Sequence, residues 1–153
     1  MRQINLPTLD ATKDLAARIA KCLRVGDIVA LKGPLGVGKT TLARYIIQDL
    51  GWTESEIPSP TFTLAQEYDF SNFTLWHFDM YRLEAPEDAF ELGIEESFAT
   101  GVSLIEWPER LGGCLPLQRL DVTLSFRNDA GVRQVELSAE SAWADRVEQL
   151  CNG

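Results

Sequence analysis

The stretch Gly33-Pro34-Leu35-Gly36-Val37-Gly38-Lys39-Thr40 limits what this chain can fold into more than any other. Before it, Asp27-Ile28-Val29-Ala30-Leu31 is a short apolar run with β-branched members, which reads as a strand buried on both faces. After it, Leu42, Ala43, Ile46, Ile47 and Leu50 fall at helical spacing over 40–50, with Gly51 as the stop. Strand, glycine turn and helix in direct succession are the first half of a βαβ unit. The expected fold is therefore α/β: a three-layer sandwich around a mostly parallel sheet.

The octapeptide matches G-x-x-x-x-G-K-[ST], the P-loop pattern, at every fixed position, and the strand before it and helix after it are the context the pattern requires. Its three glycines let the backbone curl with few side chains in the way. A curled loop turns successive N–H groups inward as a nest for anionic oxygens, and the helix behind it adds the positive end of its dipole. Lys39 supplies a mobile point charge for the β- and γ-phosphates of a nucleotide. The Thr40 hydroxyl is a hard oxygen suited to Mg²⁺. The nucleotide-binding candidates are Gly33, Pro34, Leu35, Gly36, Val37, Gly38, Lys39, Thr40 and Thr41.

Such a loop needs a second metal anchor, usually an acidic residue that ends a buried strand. Asp79 closes the apolar run Phe73-Thr74-Leu75-Trp76-His77-Phe78 and is the expected metal partner of Thr40; the alternative is an Asp capping the next turn. Glu106 follows a second apolar run, Val102 to Ile105. A carboxylate there polarises an attacking water or senses the γ-phosphate, or else forms a structural ion pair with a nearby arginine. Lys39 and Glu106 are the catalytic candidates. Trp107 lies near the nucleotide or completes the core. Thr61 and Ser59 are the candidate hydroxyls of a switch segment stiffened by Pro58 and Pro60; the alternative is a plain strand-entry turn. Arg82 touches phosphate or a partner, or pairs with Glu84 or Asp88, and His77 reads as core rather than catalyst.

The remaining pattern fills out one domain over residues 1–153. Leu15, Ala16, Ile19, Ala20 and Leu23 mark a helix over 10–23, with Asp10 or Thr12 as its cap. Residues 61–68 and 73–78 read as strands around a Ser71-Asn72 turn, and Pro86 starts a short helix that Gly93 ends. Residues 120–126 and 132–137 form a C-terminal β-hairpin around Asn128-Asp129-Ala130-Gly131, and a helix follows from Ser141. Lys plus Arg is 14 and Asp plus Glu is 23, a net charge of −9, which disfavours broad contact with a phosphate backbone. Three scattered cysteines, Cys22, Cys114 and Cys151, read as reduced thiols. With no apolar leader and no run long enough to span a bilayer, a cytoplasmic location without membrane contact is expected.

GPLGVGKTT, SPTFTL, HFDMYRL and IEWPE, in that order, resemble the small bacterial tRNA threonylcarbamoyladenosine biosynthesis ATPases of the TsaE (YjeE) family over nearly the whole chain. The resemblance implies a P-loop NTPase sandwich with ATP and Mg²⁺ at the glycine loop, Lys39 on phosphate, and Thr40 and Asp79 near the metal. It implies that SPTFT acts as a switch and that Glu106 is needed for hydrolysis. The implied partners are a transferase subunit (TsaD type) and its dimerising partner (TsaB type). They move a threonylcarbamoyl group onto an adenosine beside the tRNA anticodon, while the ATPase supports repeated turnover. Transfer RNA is reached only through that complex. One departure is Pro34, where the family loop often has an acidic residue. The rival readings are a small-molecule P-loop kinase, although no arginine-dense lid segment is visible, and a nucleotide-gated binding module with incidental hydrolysis.

Overall fold

The computed structural model describes residues 2–53, 56–127, 132–139 and 142–152. In chain order the elements are β1 (Arg2–Leu6), α1 (Leu9–Cys22), β2 (Ile28–Lys32), α2 (Lys39–Asp49), β3 (Ala65–Asp69) and β4 (Thr74–Asp79). A 3₁₀ helix over Pro86–Leu92 leads into α3 (Ile94–Thr100) and β5 (Val102–Glu106). A second 3₁₀ helix over Pro108–Cys114 precedes β6 (Leu120–Phe126), β7 (Arg133–Ala139) and α4 (Ala142–Asn152).

The strands form one seven-stranded sheet in the order β1-β7-β6-β2-β5-β4-β3. β6, β2, β5 and β4 are parallel neighbours; β7 pairs antiparallel with β6, β1 antiparallel with β7, and β3 antiparallel with β4. The sheet is thus mostly parallel in direction, and β6–β7 is the expected C-terminal hairpin. The proposed turn Asn128–Gly131 lies outside the described residues.

Alternation along the central strands feeds two cores. Val29, Leu31, Leu75 and Leu104 pack with Ile19 of α1, Leu42 and Ile46 of α2, and Trp143 of α4. Ile28, Trp76, Phe78 and Ile105 pack on the opposite face with Ile94 of α3 and Leu111. Helices on both faces make the three layers. They also leave the carboxyl ends of β2, β4 and β5 side by side, the end at which open α/β sheets hold ligands.

Several boundaries differ from expectation for local reasons. Thr8, not Asp10 or Thr12, caps α1, its hydroxyl accepting from the Ala11 N–H at 3.2 Å. The strand expected over 61–68 begins only at Ala65. Pro58 and Pro60 have no N–H to give a ladder, and the Leu64 N–H closes a turn onto the Pro60 carbonyl at 2.7 Å with Leu64 at φ 68°. Strand β1, α3 and the second 3₁₀ helix are additions the sequence pattern did not single out.

Trp76 is wedged between two glycines. A Cβ on Gly93, whose φ is +84°, would lie 2.7 Å from the Trp76 ring, and one on Gly101 would lie 2.7 Å from the Thr74 carbonyl. Left-handed strain and overpacking therefore act together at Gly93. Gly93→Ala is expected to lower stability by about 2–4 kcal/mol, seen as a lower urea midpoint with an unchanged slope.

Candidate active site

The glycine loop leaves the end of β2 and enters α2 at Lys39. Gly33 is required by space as well as by backbone angle: its φ is +142°, and a Cβ there would lie 2.5 Å from the Leu124 carbonyl oxygen of β6. Gly36 and Gly38 also lie in the left-handed region, at φ +77° and +113°. Gly38 is the N-cap of α2 and offers no side-chain cap, so the first-turn amides of this helix face the loop without a protein side chain on them. The loop is braced from outside by Arg133 of β7, whose Nε donates to the Val37 carbonyl at 3.0 Å.

Lys39 curls back over the loop. Its ammonium donates to the Gly33 carbonyl and, at 3.3 Å, to the Pro34 carbonyl, and stands 3.6 Å from the centre of the Trp107 ring. Burial lowers the Lys39 pKa from its ordinary value, opposed by Glu106, Glu109 and Asp79. An anion in the cradle would favour the charged form, so the loop presents a partly desolvated ammonium in want of a counter-charge.

The two carboxylates at the strand ends face each other in register, Asp79 of β4 opposite Glu106 of β5, and Glu106 is also opposite Leu31 of β2. Glu106, 2% exposed, accepts from the Thr40 hydroxyl at 2.7 Å (Oε1) and 3.0 Å (Oε2). Its Oε2 also lies 2.7 Å from His77 Nε2. Asp79 does not meet Thr40. It accepts from the Tyr81 N–H at 3.0 Å and from the Thr61 hydroxyl at 3.4 Å, and Ser59 Oγ lies 2.7 Å from Thr61 Oγ1. The reason is strand order: β5 lies beside the loop-bearing strand, whereas β4 is one strand further out. By position, then, Glu106 stands where the sequence expectation put Asp79.

These groups line a cleft of about 230 Å³ bounded by Leu35, Gly36, Gly38, Lys39, Thr40, Thr41, Thr61, Asp79, Tyr81, Glu106 and Trp107. Trp107 reaches it because its backbone is left-handed (φ 56°), which turns the ring against Tyr81 in an edge contact at 4.8 Å while it also packs on the second core. A second cleft of about 350 Å³ lies on the other side of the loop and shares Gly36, Gly38 and Thr41 with the first. Leu6, Thr8, Thr12, Leu124 and Arg133 line it. Arg82 lies over the ring of the exposed Phe62 at 4.4 Å.

The family model for threonylcarbamoyl adenosine biosynthesis protein TsaE matches residues 6–135. The chain belongs to the TsaE family. A TsaE protein of Rickettsia felis is 44% identical over 141 residues, spanning 91% of this chain and 82% of that one. One of Bacillus subtilis is 34% identical over 154 residues, spanning 99% and 93%. The crystal structure of B. subtilis YdiB superposes with a TM-score of 0.78 at 30% identity, covering 99% of this chain and 91% of that one. The α/β P-loop sandwich expected from the sequence is thus the fold of this TsaE-family chain.

Sequence reading brought Lys39, Thr40, Thr61, Asp79, Glu106 and Trp107 to one cleft but missed the Glu106–His77 contact and the loop brace. Arg133 acts on Val37 across 96 residues, and no local pattern announces it. His77 carried a signal, a lone polar residue inside an apolar strand two positions before an acidic one.

The Asp79 carboxyl is raised from its ordinary value of 3.8, first by burial and also by the neighbouring Glu106, against the lowering effect of the Tyr81 N–H. A raised folded-state pKa favours the fold below the unfolded value, and that advantage is lost as pH climbs through the folded value. Ionised Asp79 at pH 7 therefore costs stability. Asp79→Asn is expected to melt at a higher temperature than wild type at pH 7, with the gain shrinking toward zero near pH 4, measured by circular dichroism.

Proposed function

We propose that residues 1–153 act as one P-loop ATPase domain that binds and hydrolyses ATP with Mg²⁺ in support of tRNA threonylcarbamoyladenosine biosynthesis. The observation that carries this reading is the uncapped glycine cradle with Lys39 folded over it, facing the Thr40–Glu106 pair. Backbone amides and an ammonium make a site for polyphosphate. The second cleft, apolar at Leu6 and Leu124 and bordered by the planar guanidinium of Arg133, suits the base.

Mg²⁺ takes one or two protein oxygens and completes its shell with water and phosphate. The Thr40 hydroxyl and the Glu106 carboxylate fit that demand, and a divalent cation near them would also ease the repulsion between Glu106 and Asp79. The ion would supply charge neutralisation on the phosphate oxygens. This exchanges the two carboxylates relative to the sequence expectation: Glu106 anchors the metal, and Asp79, made more basic by burial and linked to Thr61, is the group that orients water. Thr61 and Ser59 couple that carboxylate to the 58–61 segment, so the state of the nucleotide is read there.

The TsaE name of the relatives supports the pathway. The family resemblance supports action beside a transferase subunit of TsaD type and a TsaB-type partner, which hold the tRNA. A chain of charge −9 is a poor competitor for RNA by itself. Among the described residues no helix is long and apolar enough to cross a membrane, and all three cysteines are free, which supports work in the cytoplasm.

Isothermal calorimetry with magnesium-ATP is the direct test. Wild type is expected to bind, and Lys39→Ala to lose affinity on the order of 100-fold or more. Unchanged affinity in Lys39→Ala would refute the cradle. ATP turnover is expected to rise when the transferase complex is added and to be lost in Glu106→Ala; phosphorylation of a metabolite, indifferent to that complex, would point to a kinase instead.

A further inference from the structure

The only histidine of the chain, His77, sits in the middle of β4 and is fully buried. Leu75, His77 and Asp79 share the face of β4 that looks toward α2, as Val102, Leu104 and Glu106 do on β5. His77 is directly opposite Leu104, so its ring reaches diagonally to Glu106, where Nε2 lies 2.7 Å from Oε2. The same oxygen receives the Thr40 hydroxyl at 3.0 Å. The Glu106 carboxylate is thus held from behind by a strand and from the front by a helix.

Among the described residues the other ring nitrogen, Nδ1, has no hydrogen-bond partner. A buried N–H without an acceptor costs more than an unused lone pair, so the proton belongs on Nε2 and the imidazole donates to Glu106. An aliphatic side chain would fill this apolar position without stranding a polar atom. Among the described residues the one hydrogen-bonding contact of the histidine is the carboxylate.

We propose that His77 is a positioning residue for the magnesium site: its Nε2–H fixes the Glu106 carboxylate in the orientation that meets Thr40. This rests on the reading of Thr40 and Glu106 as the metal-holding pair. It predicts a role in how strongly Mg²⁺ is held and none in how nucleotide phosphates meet the loop, because His77 touches no loop residue in the described contacts.

The test uses the full chain and ADP, titrated calorimetrically over a range of Mg²⁺ concentrations. His77→Met keeps volume and removes the donor; His77→Gln returns an N–H near the Nε2 position; His77→Asn returns one only near Nδ1, too short to reach Glu106. His77→Met and His77→Asn are expected to raise the Mg²⁺ concentration for half-maximal effect by about 10-fold or more, with Mg²⁺-free ADP affinity unchanged, and His77→Gln to recover most of it. Equal loss of Mg²⁺-free affinity, a wild-type Mg²⁺ requirement in His77→Met, or His77→Gln as impaired as His77→Met would overturn the role. Glu106→Gln separates the two layers. If it raises the Mg²⁺ requirement while His77→Met does not, only the His77 role fails; if it has no effect, the metal reading fails and this one with it. Should the variants not fold, ¹⁵N-histidine NMR of wild type reads a single imidazole. The Nε2–H tautomer with signals that move on Mg²⁺-ADP addition supports the role, and an Nδ1–H tautomer ends it.

Discussion

The site depends on the parallel pairing of β2 with β5. With Leu31 opposite Glu106, the strand that launches the glycine loop and the strand that delivers the carboxylate end at the same level. The first turn of α2, which must follow the loop, then sets the Thr40 hydroxyl within 2.7 Å of Glu106. A slip of one residue would turn Glu106 into the opposite core, and both faces of β5 are apolar enough to punish it. Val102, Leu104 and Ile105 are buried against both cores, so what such a slip would misplace is the carboxylate of Glu106.

That placement is costly. Two carboxylates and one ammonium are drawn partly out of water at the sheet end, and each answers differently. Lys39 spends its hydrogens on the Gly33 and Pro34 carbonyls and lays its charge on the Trp107 ring. Glu106 is given hydrogen-bonding partners on both oxygens. Asp79 has one backbone amide and one long hydroxyl contact, which offset only part of the burial that raises its carboxyl. On the proposed function, a cleft arranged so would be stabilised by its ligands: an anion beside Lys39 and a cation near the acids would remove the penalties that folding alone leaves in place.

Local signals carried the loop, the helices on either side of β2, and the carboxylates that end β4 and β5, because each is written in adjacent residues. Strand order is not local. Asp79 and Glu106 both close apolar runs, and nothing in either run says which strand will lie beside β2; only the finished sheet separates them. The start of β3 was lost for a different reason. Thr61, Phe62 and Thr63 have strand composition, but Pro60 and the left-handed Leu64 close a turn first. Backbone chemistry there overrides side-chain preference.

The C-terminal hairpin illustrates the same limit from the far end of the chain. As a sequence it reads as a C-terminal hairpin and supplies none of the site candidates. In the sheet, β6 lies against β2, and its Leu124 carbonyl occupies the space a Cβ on Gly33 would need. From β7, Arg133 grips the Val37 carbonyl and borders the second cleft. The loop is therefore curled by its own glycines but held in place by the hairpin. A glycine-rich segment that loses much conformational entropy on folding is kept in one shape by a backbone contact and an arginine supplied about a hundred residues later, so the anion cradle belongs to the whole sheet rather than to eight residues.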